Sequence, residues 1–126
     1  MTIHLDTNFL VDLVTVGSRG GAEILGWLKE GKSVTASAIA WSEFCNGPLS
    51  KAQKEAAFNV LDRKIIDFTW REAEEAARLF NLTGRRRGSH ADCMIAASAI
   101  VAGAPLATLN AADFQPLVPF GLSLQG

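Results

Sequence analysis

Apolar and polar positions change their spacing several times along the chain, and each change marks an element. Thr2-Ile3-His4-Leu5-Asp6 is short and rich in β-branched and apolar residues, which predicts a strand, whereas from Asn8 to Val14 the apolar residues fall at helical spacing. Residues 22–30 set Ile24, Leu25 and Leu28 on one side of a helix that stops at Gly31, and residues 32–36 predict a second strand. A short apolar helix over 37–46 ends at Asn46-Gly47-Pro48, an amphipathic one follows over 50–62, and residues 64–68 predict a third strand. Thr69-Trp70-Arg71-Glu72 has capping-box spacing and opens a helix that runs to Gly84. Residues 89–103 are apolar nearly all round after Asp92, the pattern of a helix enclosed on every side. Pro105-Leu106-Ala107-Thr108 predicts a fourth strand and residues 117–124 a weaker fifth, which Pro119 assigns to an edge.

Strands separated by helices, with no tight hairpin signal between them, require right-handed crossovers and hence parallel pairing. The expected fold is a three-layer α/β/α sandwich with a small, mainly parallel sheet of four to five strands, in one domain over 1–126. Residues 46–49 and 83–89 are expected to be loops within it.

Composition narrows the function classes. With 48% hydrophobic and 20% charged residues the chain has the ordinary globular mixture. Its net charge of −1 excludes binding of nucleic acid or anionic membrane through a bulk positive field, so any basic patch must be local. The uncharged stretch 93–110 is interrupted by Gly103 and Pro105 and falls short of the roughly 20 residues of a membrane span. No basic leader precedes Asp6 and Asp12, and a cytoplasmic protein is expected. Cys45 and Cys93 lack C-x-x-C spacing, which argues against a disulfide framework or structural zinc and for two buried free thiols.

In a parallel sheet, ligands bind beyond the carboxyl ends of the strands. Asp6 closes the first strand, Glu43 lies on the helix after the second, Asp92 opens the enclosed helix, and Asp113 follows the fourth strand. Each has a plainer reading. Ser89-x-x-Asp92 and Asn110-x-x-Asp113 fit capping boxes, and Asp6 could cap the helix starting near Asn8. Glu43 is harder to dismiss: Ile39, Ala40, Asn46 and Gly47 surround it on the helix and offer no cation. A carboxylate partly buried there would call for a distant arginine or a metal ion. Clustered carboxylates without a His or Cys ligand set favour a hard divalent cation, Mg²⁺ or Mn²⁺, and with it metal-assisted phosphodiester hydrolysis. Arg85, Arg86 and Arg87, bracketed by Gly84 and Gly88 with no acid near them, could bind phosphate or simply form a solvated loop. Trp27, Trp41 and Trp70 fall in helical patterns and are expected in the core or an interface; His4 is expected to be structural, and His90 could face phosphate.

Leu5-Asp6-Thr7-Asn8, Ser42-Glu43-Phe44, Asp92-Cys93-Met94-Ile95-Ala96-Ala97 and Thr108-Leu109-Asn110-Ala111-Ala112-Asp113-Phe114, in that order, resemble the motifs of PIN-domain ribonucleases, and the length resembles that of VapC-type toxins of toxin–antitoxin pairs. The resemblance implies endonucleolytic RNA cleavage in an acidic pocket that binds Mg²⁺ or Mn²⁺. Asp6, Glu43, Asp92 and Asp113 would be the catalytic and metal-binding acids, Thr7, Asn8, Thr108 and Asn110 their polar neighbours, and Arg85 to Arg87 would help bind RNA. It further implies a homodimer and a VapB-like antitoxin covering the pocket. Leu109 stands where relatives often carry a basic or polar residue, and Asn110 where some carry an acid, so the fourth acidic role is shared between Asn110 and Asp113. Two other readings are a catalytically silent RNA- or protein-binding module of the same fold and a receiver-like signalling domain. Against the latter, Asp6 has no acidic neighbour and no Lys follows Lys64.

Overall fold

Four of the five expected strands form, and all pair in parallel. A computed structural model describes all 126 residues. Its elements are β1 (Thr2–Leu5), α1 (Thr7–Leu13), α2 (Arg19–Lys29), β2 (Ser33–Ser37), α3 (Ala38–Cys45), α4 (Lys51–Val60), β3 (Ile65–Ile66), α5 (Trp70–Leu82), α6 (His90–Ala102), β4 (Leu106–Ala107) and α7 (Ala111–Phe114), followed by a 3-10 helix, Gln115–Phe120. The sheet order is β3-β2-β1-β4, and helices pack on both sides to give the expected α/β/α layers. β1 lies between two neighbours, with Ile3 opposite Val34 and Leu5 opposite Ala107.

The predicted fifth strand is corrected. Pro116 and Pro119 remove two backbone donors from this stretch, which coils into the 3-10 helix instead. Only Leu124 reaches the sheet, as a single parallel bridge to Leu106.

Side-chain caps explain where most helices begin. Asp6, Ser18, Ser37, Ser50 and Thr69 each accept a backbone N–H of the helix that follows, and Ser50 with Gln53 completes a capping box. α6 ends at Gly103 in the left-handed region, φ 67°. Its Cys93, Ile95, Ala96, Ala97 and Ala99 are buried, and Ile3, Leu5, Val34, Ala36, Leu106 and Ala107 supply the strand side of the same core. The small alanines let α6 approach its neighbours closely. The expectation of two buried thiols fails, since Cys45 is exposed, and of the two places expected for Trp70 its 65% exposure at the start of α5 excludes the core.

Candidate active site

Asp6 stands where β1 gives way to α1. It is 5% exposed, and its Oδ1 accepts the Thr7 N–H at 2.7 Å, which makes it the α1 cap. Because β4 runs beside β1, Thr108 arrives next to Asp6, and its Oγ1 donates to Oδ2 at 2.8 Å. The Asn110 N–H donates in turn to Thr108 Oγ1 at 3.0 Å, and the Leu109 N–H to Asn8 Oδ1 at 3.2 Å. Thr7 Oγ1 donates to Glu43 Oε1 at 2.6 Å and so ties α1 to α3. Three of the expected polar neighbours, Thr7, Asn8 and Thr108, thus link the elements that carry the acids. The side chain of Asn110 makes no capping bond.

Glu43 is exposed, which corrects the expectation of a partly buried carboxylate demanding a counter-charge. Its helix turns this side chain outward along the rim, where the Thr7 hydroxyl donates to it.

The capping alternatives for Asp92 and Asp113 also fail. Ser89 has helical backbone angles and donates its Oγ to the Arg86 carbonyl at 2.7 Å, leaving it no cap bond to the start of α6. The Asn110 side chain caps nothing, and only its carbonyl meets the start of α7, accepting from the Asp113 N–H at 3.0 Å. Neither box forms, so both carboxylates remain free for other work.

The four acids share one electrostatic field. Burial pushes the Asp6 carboxyl above its usual range, the bonds from Thr108 and Thr7 oppose the shift, and the charges of Glu43 and Asp113 add to it. Asp92 is pushed up to about 6, first by burial and then by the charges of Asp6, Asp113 and Glu43, with Arg86 opposing. Repulsion of this kind is what a bound cation relieves. No three His, Cys, Asp or Glu side chains close into a chelating cage. That geometry still suits Mg²⁺ or Mn²⁺, since Mg²⁺ takes one or two carboxylates directly and keeps several waters, and every acidic donor here is an oxygen.

A cavity of about 60 Å³ lies beside these acids, bounded by Asp92, Asp113, Arg86, Ser89 and Thr83, with Pro116 of the 3-10 segment among the other walls. Thr83, Ser89 and Pro116 carried no functional signal in the sequence, because their place in the wall depends on how the loop and the 3-10 turn fold back. The structure also divides the arginine triplet. Gly84, Arg85 and Gly88 all have positive φ, so the loop turns sharply. Arg85 bonds to Asn81 and lies over the Phe80 ring at 5.1 Å. Arg86 faces Asp92, and Arg87 is exposed. His90 packs against Phe80, ring centroids 5.4 Å apart.

Among solved structures, the fold is similar to VapBC2 from Rickettsia felis bound to a DNA fragment from their promoter, at 22% identity and a TM-score of 0.73, over 99% of this chain and 98% of that one. It is likewise similar to FitAcB from Neisseria gonorrhoeae, at 20% identity and a TM-score of 0.71, over 98% and 96%. A third is VapBC-1 from nontypeable Haemophilus influenzae, at 24% identity and a TM-score of 0.68, over 99% and 97%. No curated protein matches the sequence. Residues 3–115 match the family described as PIN domain. Nearly the whole chain is covered by that match, and the protein belongs to the PIN-domain family.

Proposed function

We propose that this PIN-domain protein is a VapC-type toxin, a Mg²⁺- or Mn²⁺-dependent endoribonuclease. The observation that carries the reading is the convergence of Asp6, Glu43, Asp92 and Asp113 at the carboxyl edge of a parallel sheet, where their charges act on one another. Asp6, Glu43, Asp92 and Asp113 are the residues that would hold the cation, Asp113 rather than Asn110 taking the fourth acidic role. When bound, the cation supplies charge stabilisation at a phosphoryl oxygen and a more acidic water. Thr108 and the Thr7 N–H fix the Asp6 carboxylate in orientation. Arg86 takes a non-bridging phosphate oxygen with its guanidinium fork and places the RNA backbone beside the acids.

The similarity to solved toxin–antitoxin complexes supports the second half of the proposal. A VapB-like antitoxin covers the acidic crevice with a basic side chain, and the toxin acts in the cytoplasm as a homodimer. No helix of the chain is long and apolar enough to cross a membrane.

The test is cleavage of single-stranded RNA with Mg²⁺ or Mn²⁺ by the wild type and by Asp6→Asn and Asp92→Asn, with circular dichroism to confirm folding. Both variants are expected to lose detectable cleavage. Undiminished activity in both folded variants would overturn the assignment. For the antitoxin, co-expression with the product of a small upstream reading frame should relieve growth arrest and yield a co-purifying complex.

A further inference from the structure

A second pocket, lined by aromatic and charged side chains, lies on α3, on the side away from Glu43. Trp41 and Cys45 are one turn apart on that helix, and Glu43, midway between them, points the other way. With Lys54, Glu55 and Phe58 of α4 and Arg63 just beyond it, Trp41 and Cys45 line a groove of about 280 Å³, near the lower end of small-ligand pockets. Its walls are planar. Trp41 lies 5.8 Å from the Phe58 ring, and the Arg63 guanidinium sits 4.6 Å over the other partner of that pair, Phe58. The guanidinium is held in place: Nη1 donates to Glu55 Oε1 and to Asn59 Oδ1, both at 2.8 Å.

The backbone that aims it is unusual. Asp62 and Arg63 are both left-handed, with φ of 58° and 57°, a conformation that residues with a Cβ rarely adopt twice in succession. Both residues close the end of α4, the Asp62 N–H donating to the Asn59 carbonyl at 3.0 Å and the Arg63 N–H to the Phe58 carbonyl at 2.8 Å, which fixes where Arg63 leaves the helix. Glu55 neutralises Arg63, whereas Lys54 has no carboxylate partner, so the groove carries an unspent positive charge at its edge.

We propose that this groove is a stacking subsite for one unpaired RNA base, with Lys54 taking the adjoining phosphate. The proposal rests on the RNA reading of the acid cluster and extends it around α3. Aromatic rings and guanidinium planes are the surfaces on which unstacked RNA bases pack, and a lone ammonium suits the backbone that carries them. A partner protein's apolar anchor fits less well, because Lys54, Glu55 and Arg63 make half of the lining charged.

The experiment labels the protein with 5-fluorotryptophan and assigns the three ¹⁹F signals through Trp27→Phe, Trp41→Phe and Trp70→Phe. Adenosine 5′-monophosphate is then added in EDTA, where no cleavage can occur. The Trp41 signal is expected to shift, with those of Trp27 and Trp70 unmoved. In parallel, Arg63→Gly, which removes the guanidinium and suits the left-handed backbone, should weaken binding of a single-stranded oligonucleotide roughly tenfold, within the range for loss of one stacking partner. A silent Trp41 signal together with unchanged oligonucleotide affinity overturns the subsite, even if RNA is cleaved. A Trp41 signal that moves with protein concentration but not with nucleotide overturns it in favour of a second copy of the chain. A shift at Trp41 in a protein that cleaves no RNA retains the subsite and removes the nuclease reading instead.

Discussion

Thr108 Oγ1 donates to Asp6 Oδ2 at 2.8 Å across 102 residues of sequence. The bond favours the charged carboxylate, against burial and the neighbouring acids. Thr108→Val removes it at nearly constant shape. The expected result is a higher proton affinity at Asp6, weaker Mn²⁺ binding in calorimetry and a stability loss of about 1 kcal/mol. Thr108→Ser should restore Mn²⁺ affinity. If the valine variant binds Mn²⁺ as tightly as the wild type, Thr108 does not tune the site.

The two neighbouring arginines should separate in function. Arg86 faces Asp92, whereas Arg85 is engaged by Asn81 and Phe80. Arg86→Ala is expected to weaken RNA binding and to flatten its salt dependence by about 0.7 in log–log slope, the loss of one phosphate contact on a single strand. Arg85→Ala should leave that slope in place. The opposite order in a salt titration would reassign the phosphate contact.

Stability should respond to pH through two opposed groups. His4 is 2% exposed with Nδ1 unpartnered, and burial lowers its pKa from 6.5 to about 4. The unfolded chain therefore takes that proton first, and stability falls as the pH drops from 6.5 towards 4. Asp92 is raised from 3.8 to about 6, so the native state takes its proton first and stability rises as the pH falls through that window. Between about 6 and 4 the two offset each other. Asp92→Asn should be more stable than the wild type at pH 7, having lost a repelled charge, and should lose more stability on acidification. Urea midpoints at pH 7 and 4.5 measure both effects; parallel profiles for the two proteins would contradict the assignment of Asp92.

The junction of α1 and α2 admits no side chain at Gly20. Its N–H donates to Asp12 Oδ2 at 2.9 Å, and a Cβ placed there would lie 2.6 Å from that oxygen. Gly20→Ala is expected to destabilise the protein by roughly 1–3 kcal/mol, the usual range for overpacking, whereas Gly26→Ala, with open space around the same atom on the same helix, should not. Thermal melts of the two variants make the comparison.

Much of this molecule is written in local patterns. The change from strand to helical spacing at Asp6 and Thr7, the enclosed character of α6 and the stop at Gly103 all follow from neighbours within a few residues. What the sequence conceals depends on choices between partners that are equally near. Ser89 could have capped α6, and in the folded chain its hydroxyl turns to the Arg86 carbonyl instead. Glu43 looks stranded among apolar helix neighbours, yet the Thr7 hydroxyl comes from another element and the carboxylate lies at the rim. The fifth strand had the right hydropathy, but Pro116 and Pro119 coil its first half into 3-10 turns. Cys45 read as buried, and Trp70 as core or interface, because helical spacing locates a face without saying whether another element covers it.

The placement of β1 has a consequence for the order of biosynthesis. Its residues are made long before one of its two flanking strands, Leu106–Ala107, which is followed at once by the Thr108 that grips Asp6. A ribosome-bound chain of a hundred residues would have Asp6, Glu43 and Asp92 but no strand to close that side of β1. The acidic crevice is therefore closed on that side only once Leu106–Ala107 and Thr108 are free to fold, well after Asp6 and Glu43 have been made.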